Sequence, residues 1–214
     1  MHRSLFAISS TLLLVACGHA GQASLTDHIS VQLGNTNAAC QGADRIVKAV
    51  DATTISRTLA PTGDSCDYKV HWSGRILDTA KLKTALESRG SKLERVKLIF
   101  DPVMLVDELG SKIESVSIRK ITLRLRFQKT TLLEISAAEG VGPIGKEQTV
   151  ALAREIVETI QLALTENKPL MGAIDIDFQL SDTTRRELAA KARGPYFEIK
   201  FKVDLQVAAA GQKK

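Results

Sequence analysis

The segment EGVGPIGKEQ, residues 139–148, has the glycine and lysine spacing of a nucleotide-binding loop. Its pattern G-x-x-x-x-G-K opens a phosphate-binding loop, in which backbone N–H groups and the lysine hold the phosphates. The position after Lys146 should supply a hydroxyl to Mg²⁺, but Glu147 stands there and would repel the phosphates. Pro143 also removes one of the backbone N–H donors that such a loop requires. These departures argue against a phosphate site.

The same glycines match G-x-G-x-x-G, the pattern of dinucleotide-binding folds. That motif requires a βαβ unit and an acidic residue about 20 residues further on. Glu166 lies near this spacing, but the sequence places it at the end of a helix rather than after a second strand. We therefore interpret the segment as a turn between a strand and a helix, with Glu147 in the first helical turn. We predict no nucleotide and no other cofactor.

Asp175, Asp177 and His71 are the other side chains that acid–base chemistry would use. The two aspartates lie two residues apart on a predicted strand face exposed to water, where carboxylates stay ionised. The sequence has no G-x-S-x-G nucleophile motif and lacks the C-x-x-C and H-x-x-x-H spacings of zinc sites. We therefore assign no catalytic residue and no metal site. A non-enzymatic protein is predicted, and a hydrolase with an unrecognised site is the second alternative.

The N-terminus combines a positive start with an apolar run. Arg3 precedes residues 5–16, a run shorter than the roughly 20 residues that a bilayer-spanning helix needs. A short apolar run after a basic residue is typical of a secretory signal peptide. We therefore predict that residues 1–16 are removed on export.

The predicted cleavage point lies within a run of four residues: Leu14, Val15, Ala16 and Cys17. All four positions resemble the lipobox of bacterial lipoproteins, and the resemblance covers the first seventeen residues only. It implies that the Cys17 thiol receives a diacylglycerol, that cleavage precedes Cys17, and that the new N-terminus is acylated, for example with palmitate. Gly18 replaces the aspartate that retains such proteins in the inner membrane. The resemblance thus implies an outer-membrane protein facing the periplasm, with the inner membrane and the cell surface as alternatives.

Residues 17–24 form the predicted lipidated tether, because small side chains dominate this stretch. Its root-mean-square reach is roughly 15 Å. A single globular domain is expected at residues 25–208, followed by a disordered tail at 209–214. Cys40 and Cys66 remain as an even pair in an oxidising compartment, which predicts a disulfide that contributes roughly 3–4 kcal/mol. Two separate thiols are the alternative.

Composition narrows the class of partner. The chain has 214 residues, of which 44% are hydrophobic and 25% charged, as in ordinary globular proteins. Aromatic residues make up only 4% and the net charge is +5, so neither base-stacking side chains nor a dense basic patch is well supplied. We predict no nucleic-acid partner.

Strict alternation of apolar and polar residues is the clearest structural pattern in the domain. It predicts strands at residues 121–128, 173–180 and 197–207, and weaker strands at 68–72, 94–100 and 132–137. Val116 and Ile118 keep the alternation in the opposite phase, which predicts a β-bulge near Arg119 and Lys120. Alternation of this kind favours antiparallel sheets with one covered face.

Helical spacing predicts one long helix at about residues 146–167 and shorter helices at 43–53, 79–88 and 182–193, the last with Ser181 as its N-cap. The predicted fold is therefore α+β: an antiparallel sheet of long amphipathic strands with one long helix against it. A β-sandwich with helical insertions is the alternative.

A row of basic residues on and beside one predicted strand is the strongest local charge feature: Arg119, Lys120, Arg124, Arg126 and Lys129. Charge on exposed strands commonly protects sheet edges from aggregation. The functional interpretation is contact with an anionic membrane or an envelope protein. We predict an anchored envelope lipoprotein that binds a partner or ligand at the membrane surface. A periplasmic carrier of lipids or other hydrophobic ligands is the alternative.

Overall fold

The computed structural model describes residues 21–32, 45–50, 53–59, 65–77, 79–87, 92–107, 109–114, 116–138, 144–181, 183–184, 187 and 195–208. In chain order, the elements are β1 (Gln22–Gln32), β2 (Arg45–Val50), β3 (Thr53–Leu59), β4 (Ser65–Leu77), α1 (Thr79–Glu87), β5 (Leu93–Phe100), β6 (Met104–Val106), β7 (Val116–Phe127), β8 (Thr130–Ala138), β9 (Gln148–Ala151), α2 (Arg154–Thr165), β10 (Leu170–Ser181) and β11 (Tyr196–Val207).

These strands form two antiparallel sheets. Sheet A has the order β1-β11-β5-β9, and β6 also pairs with β11. Sheet B has the order β2-β3-β4-β10-β7-β8. The alternation that predicted the long strands is confirmed, because every second residue of β10 and β11 is buried.

The buried faces of the two sheets share one hydrophobic core. Phe178 of β10 contacts Phe197 of β11 edge-on, with ring centroids 4.8 Å apart. Tyr68 of β4 stacks on the Phe178 ring, with ring centroids 5.1 Å apart. Aromatic contacts of this geometry add about 0.5–1.5 kcal/mol to the burial of the rings. The architecture therefore fits the β-sandwich alternative better than the α+β fold that was expected first.

The predicted bulge is confirmed in β7. Asp177 pairs with Lys120 and the next residue of β10, Phe178, pairs with Ile118, which leaves Arg119 as the extra residue. An extra residue resets the pleat, so Ile118 and Ile121 are both buried although they are three positions apart.

The predicted long helix at residues 146–167 is wrong in its first part. Residues 148–151 form β9, which pairs with β5 from Lys97 to Phe100, and α2 begins only at Arg154. The apolar spacing of Val157, Ile160 and Leu164 does lie on one buried helix face. β9 forms because the open edge of β5 offers backbone hydrogen bonds, and pairing in a sheet overrides a weak helical preference.

The shorter predicted helices have different outcomes. The helix at 79–88 is confirmed as α1, whereas residues 45–50 of the helix predicted at 43–53 form β2, which pairs with β3. Ile46, Val47 and Val50 are β-branched and therefore suit a strand. For the helix at 182–193, the Thr184 N–H donates to Ser181 Oγ at 3.1 Å, as an N-cap requires. Most of that helix lies outside the described residues.

The described chain starts inside the predicted tether. Gly21 has a left-handed φ of +98°, and its carbonyl accepts a hydrogen bond from the Val207 N–H at 2.7 Å. β1 then begins at Gln22, so residues 22–24 of the tether are already part of sheet A. Gly21 follows Cys17 by only four positions in the chain. At about 3.5 Å per residue, the two are at most roughly 14 Å apart.

The contact between Phe178 and Phe197 shows which ends of the two sheets lie together. Phe178 lies close to the end of β10 and Phe197 lies at the start of β11, so these two strand ends are together. The start of β10 and the end of β11 therefore lie at the opposite end of the sandwich, with Gly21. We call this the Gly21 end.

The two helices lie at the Gly21 end. The Leu93 N–H, at the start of β5, donates to Gln161 Oε1 of α2 at 2.8 Å, and α2 leads directly into β10. α1 contacts α2 and β1 and links the end of β4 to β5. Within the described residues, neither helix has the length and the apolar character that a membrane span requires.

Candidate functional site

The outer face of sheet B carries polar side chains in register across four neighbouring strands. Asp175 of β10 lies opposite His71 of β4 on one side and Thr122 of β7 on the other. Thr122 lies opposite Ser136 of β8, and their hydroxyls are 3.1 Å apart. The pleat produces this row, because residues two apart on a strand share a face.

A charged network runs along the same four strands. His71 Nδ1 lies 2.6 Å from Asp175 Oδ1, and Arg124 Nη1 donates to Asp175 Oδ2. Arg124 Nε donates to Glu134 Oε2 at 2.8 Å, which brings β8 into the network. Each guanidinium bond is charge-assisted and stronger than a neutral hydrogen bond. The network therefore orders one side chain from each strand, and we call His71, Asp175, Arg124 and Glu134 the cross-strand network.

The environment keeps both central groups charged. Partial burial raises the pKa of Asp175, but the hydrogen bonds and charges of His71 and Arg124 outweigh it and hold that pKa below its ordinary value. Hydrogen bonds to Asp175 and Glu134 raise the pKa of Arg124 above its already high ordinary value. Asp175 is thus an anion at neutral pH, held between two donors.

This geometry does not favour acid catalysis. His71 and Asp175 have the contact found between the base and the orienting carboxylate of a triad. A general acid needs a raised pKa, however, and that of Asp175 is lowered. The two side chains are 45% and 27% exposed on a sheet face. Among the described side chains, no hydroxyl or thiol is hydrogen-bonded to His71.

The structure places the predicted basic row in four different environments. The charge of Arg124 is balanced by carboxylates within the cross-strand network, and Arg119 Nη1 lies 3.6 Å from Asp67 Oδ1. Lys120 is exposed and lies opposite Asp177 in the strand register, and Asp177 Oδ1 lies 3.7 Å from Lys69 Nζ. The last two members, Arg126 and Lys129, are exposed and form no ion pair with any residue that the structure describes. The row is therefore not one continuous cationic surface.

Arg126 has two neighbours that the sequence pattern does not predict. Met171 of β10 pairs directly with Arg126 on one side and with Arg75 of β4 on the other. Arg75 is exposed and Met171 is 37% exposed, which is unusual for a large apolar side chain in a sheet. Alternation along β4 places Arg75 on the outer face, but the sequence does not reveal that β4 and β7 flank the same strand.

A small apolar cavity lies between the sheets. Its volume is about 20 Å³, and its lining includes Leu98, Phe201, Leu123 and Leu125. One water needs roughly 10–15 Å³ by this measure. The cavity in this structure is therefore far smaller than an acyl chain.

The structure describes the remaining predicted sites only in part. Residues 144–147 form a turn that leads into β9, so the glycine-rich segment precedes a strand rather than a helix, and residues 139–143 lie outside the described part. Cys17, Cys40 and the side chain of Cys66 also lie outside the described part, and with them the predicted lipidation and disulfide. In the described residues, no group of three or more His, Cys, Asp or Glu side chains is placed to hold a metal ion.

Comparison of the chain with protein-family models, curated proteins and solved structures gave no match. The N-terminal sequence pattern and the geometry of sheet B are the features of this chain that bear on its function.

Proposed function

We propose that this protein is a non-enzymatic envelope lipoprotein, held on a membrane through Cys17, whose sheet B binds a partner at the membrane surface. The lipobox pattern supports the anchor, and Gly18 supports the outer membrane facing the periplasm. Three acyl chains exceed the two hydrophobic signals that stable anchoring needs. The short distance from Cys17 to Gly21 keeps the sandwich next to the bilayer.

The cross-strand network is the observation that carries the binding proposal. On β11 of sheet A, both ion pairs join residues of the same strand: Lys200 pairs with Glu198, and Lys202 pairs with Asp204. On sheet B, the network instead fixes four side chains on four different strands. Ordered side chains lose less conformational entropy when a partner binds, which favours recognition.

The size of the face also suits a protein partner. Six strands spaced about 4.8 Å apart, from about 20 Å to about 43 Å in length, give a face on the order of 900 Å². A standard protein–protein interface covers about 800 Å² on each partner. Among the described elements, neither helix forms a main contact with sheet B. An envelope protein is therefore the preferred partner class.

Metabolic labelling with a palmitate analogue tests the anchor. The parent chain should incorporate label and remain with membranes after a high-salt wash, and Cys17→Ala should do neither. The double variant Cys40→Ala, Cys66→Ala is the control, because it removes both other cysteines together and leaves the lipobox intact. Label that persists in Cys17→Ala would contradict the proposal.

Site-specific photocrosslinking in the producing cell tests the binding face. Ser73 and Ser136 are exposed on sheet B, and Thr26 and Lys202 are exposed, paired positions on sheet A. A photoreactive residue at Ser73 or Ser136 should yield a discrete adduct, whereas the same residue at Thr26 or Lys202 should not. Equal adducts from both sheets, or from sheet A alone, would exclude sheet B as the specific face.

A further inference from the structure

Exposed cations cluster at the Gly21 end of sheet B, and within the described residues they have no carboxylate partner. In the row Arg75–Met171–Arg126–Thr131, both arginines are exposed and the row contains no carboxylate. Lys129 follows in the turn between β7 and β8 and is also exposed. None of these three cations forms an ion pair with a described residue.

At the opposite end of the same face, basic side chains have acidic neighbours. Lys69 lies 3.7 Å from Asp177 and Arg119 lies 3.6 Å from Asp67. In the middle, Arg124 is compensated by two carboxylates. The positive potential of the face is thus concentrated at the end where the described chain starts.

We infer that Arg75, Met171, Arg126 and Lys129 form a membrane-contact patch that rests on the anionic phospholipids of the bilayer holding the anchor. The inference depends on the anchorage proposed above. The chain outside the described residues supports this occupant, because Cys17 lies four residues before Gly21 and its lipid would hold the Gly21 end within roughly 14 Å of the headgroups.

The chemistry of the patch matches a headgroup layer. Arginine binds phosphate oxygens in a bidentate manner, and long basic side chains lay their aliphatic stems along apolar surface while the charged head stays in water. Met171 lies between the two arginines and is flexible enough to enter the boundary between headgroups and acyl chains. Anionic leaflets attract basic residues over about a Debye length, roughly 8–10 Å, which the short tether allows.

Tryptophan quenching by brominated lipids tests the patch in the mature lipoprotein reconstituted into vesicles. The parent chain has only Trp72, whose emission supplies the background. Met171→Trp adds a reporter within the patch, and Ala138→Trp adds one at the far end of the same face, opposite Lys120. In phosphatidylcholine vesicles with about one third brominated phosphatidylglycerol, we expect the added emission of the first variant to be lost and that of the second to remain.

Charge-neutralising variants in the Met171→Trp background make the test specific. Adding Arg75→Gln and Arg126→Gln to this background should abolish the quenching of the added tryptophan. Adding Arg119→Gln and Lys120→Gln instead removes the same charge from the other end and should leave the quenching unchanged. Salt at about 0.5 M should also reduce the quenching, because the Debye length falls to a few ångströms.

Two failures can be told apart. A lipoprotein that does not float with vesicles in high salt would contradict the anchorage and, with it, the patch. A Met171→Trp lipoprotein that floats, but whose added emission is no more quenched with anionic than with neutral lipid, would overturn the patch alone. Equal quenching of the Met171→Trp and Ala138→Trp variants would also overturn it, because the sandwich would then have no preferred end toward the bilayer.

Discussion

His71 Nδ1 lies 2.6 Å from Asp175 Oδ1 across the β4–β10 pair, although the two residues are 104 positions apart in the chain. Arg124 approaches the second oxygen of the same carboxylate from β7. One anion therefore ties together the three central strands of sheet B. We therefore expect Asp175 to contribute more to stability than Glu134, the other carboxylate of the cross-strand network.

We expect Asp175→Asn to lower the free energy of unfolding by roughly 1–2 kcal/mol, because His71 and Arg124 both lose their anionic acceptor on a partly solvated face. Asp177→Asn is the matched control. It changes the same group on the same face, but the Asp177 contact with Lys69 is long at 3.7 Å, so a loss below about 0.5 kcal/mol is expected. Urea unfolding followed by circular dichroism measures both. Equal losses would mean that the cross-strand network contributes no specific stability.

The lowered pKa of Asp175 predicts how its contribution depends on pH. A carboxyl with a depressed folded-state pKa stabilises the fold above its unfolded pKa of about 4, and this stability is lost as pH falls through the lower folded pKa. The difference in unfolding free energy between the parent chain and Asp175→Asn should therefore shrink as the pH falls below about 4. Urea titrations between about pH 5 and about pH 2 would measure it. A difference that stays constant or grows over this range would contradict the assignment.

Phe178 should be a main determinant of sandwich stability. Its ring is 1% exposed and contacts Tyr68 within sheet B and Phe197 across the core. Phe178→Ala should cost roughly 3–5 kcal/mol, through lost burial and the cavity left behind. Leu109→Ala is the control, because Leu109 is 85% exposed and its truncation should change stability by less than about 0.5 kcal/mol. Thermal and urea unfolding compare the two variants. A loss near that of the control would indicate that the two sheets do not share this core.

Patterns within single strands were predicted well from the sequence, because alternation is a local property. The faces of β7, β10 and β11 and the bulge at Arg119 all follow from the spacing of apolar residues. β9 could not be predicted in the same way. Its four residues continue a helical spacing, and only the open edge of β5 turns them into a strand.

In the candidate site too, local features could be predicted from the sequence and contacts between strands could not. Asp175 and Arg124 can each be placed on an outward strand face from local alternation. Their contact depends on β10 lying between β4 and β7, which is strand order and not sequence pattern. Arg75 was missed for the same reason, since it joins Arg126 only through Met171 on the strand between them.

Native mass spectrometry can distinguish the partner-binding proposal from the carrier alternative, because only a carrier should be purified with a bound lipid. The cavity beside Leu123 and Phe201 has room for about one water, so an acyl chain could enter only if the sheets separated. A chain starting at Gly18 behind a conventional cleavable signal peptide should therefore have its ligand-free mass after purification from the periplasm. Leu123→Ala enlarges the cavity and serves as the positive control, because a larger apolar cavity can admit a small hydrophobic molecule such as benzene. A lipid that co-purifies in stoichiometric amount with the unsubstituted chain would favour the carrier over the partner-binding face.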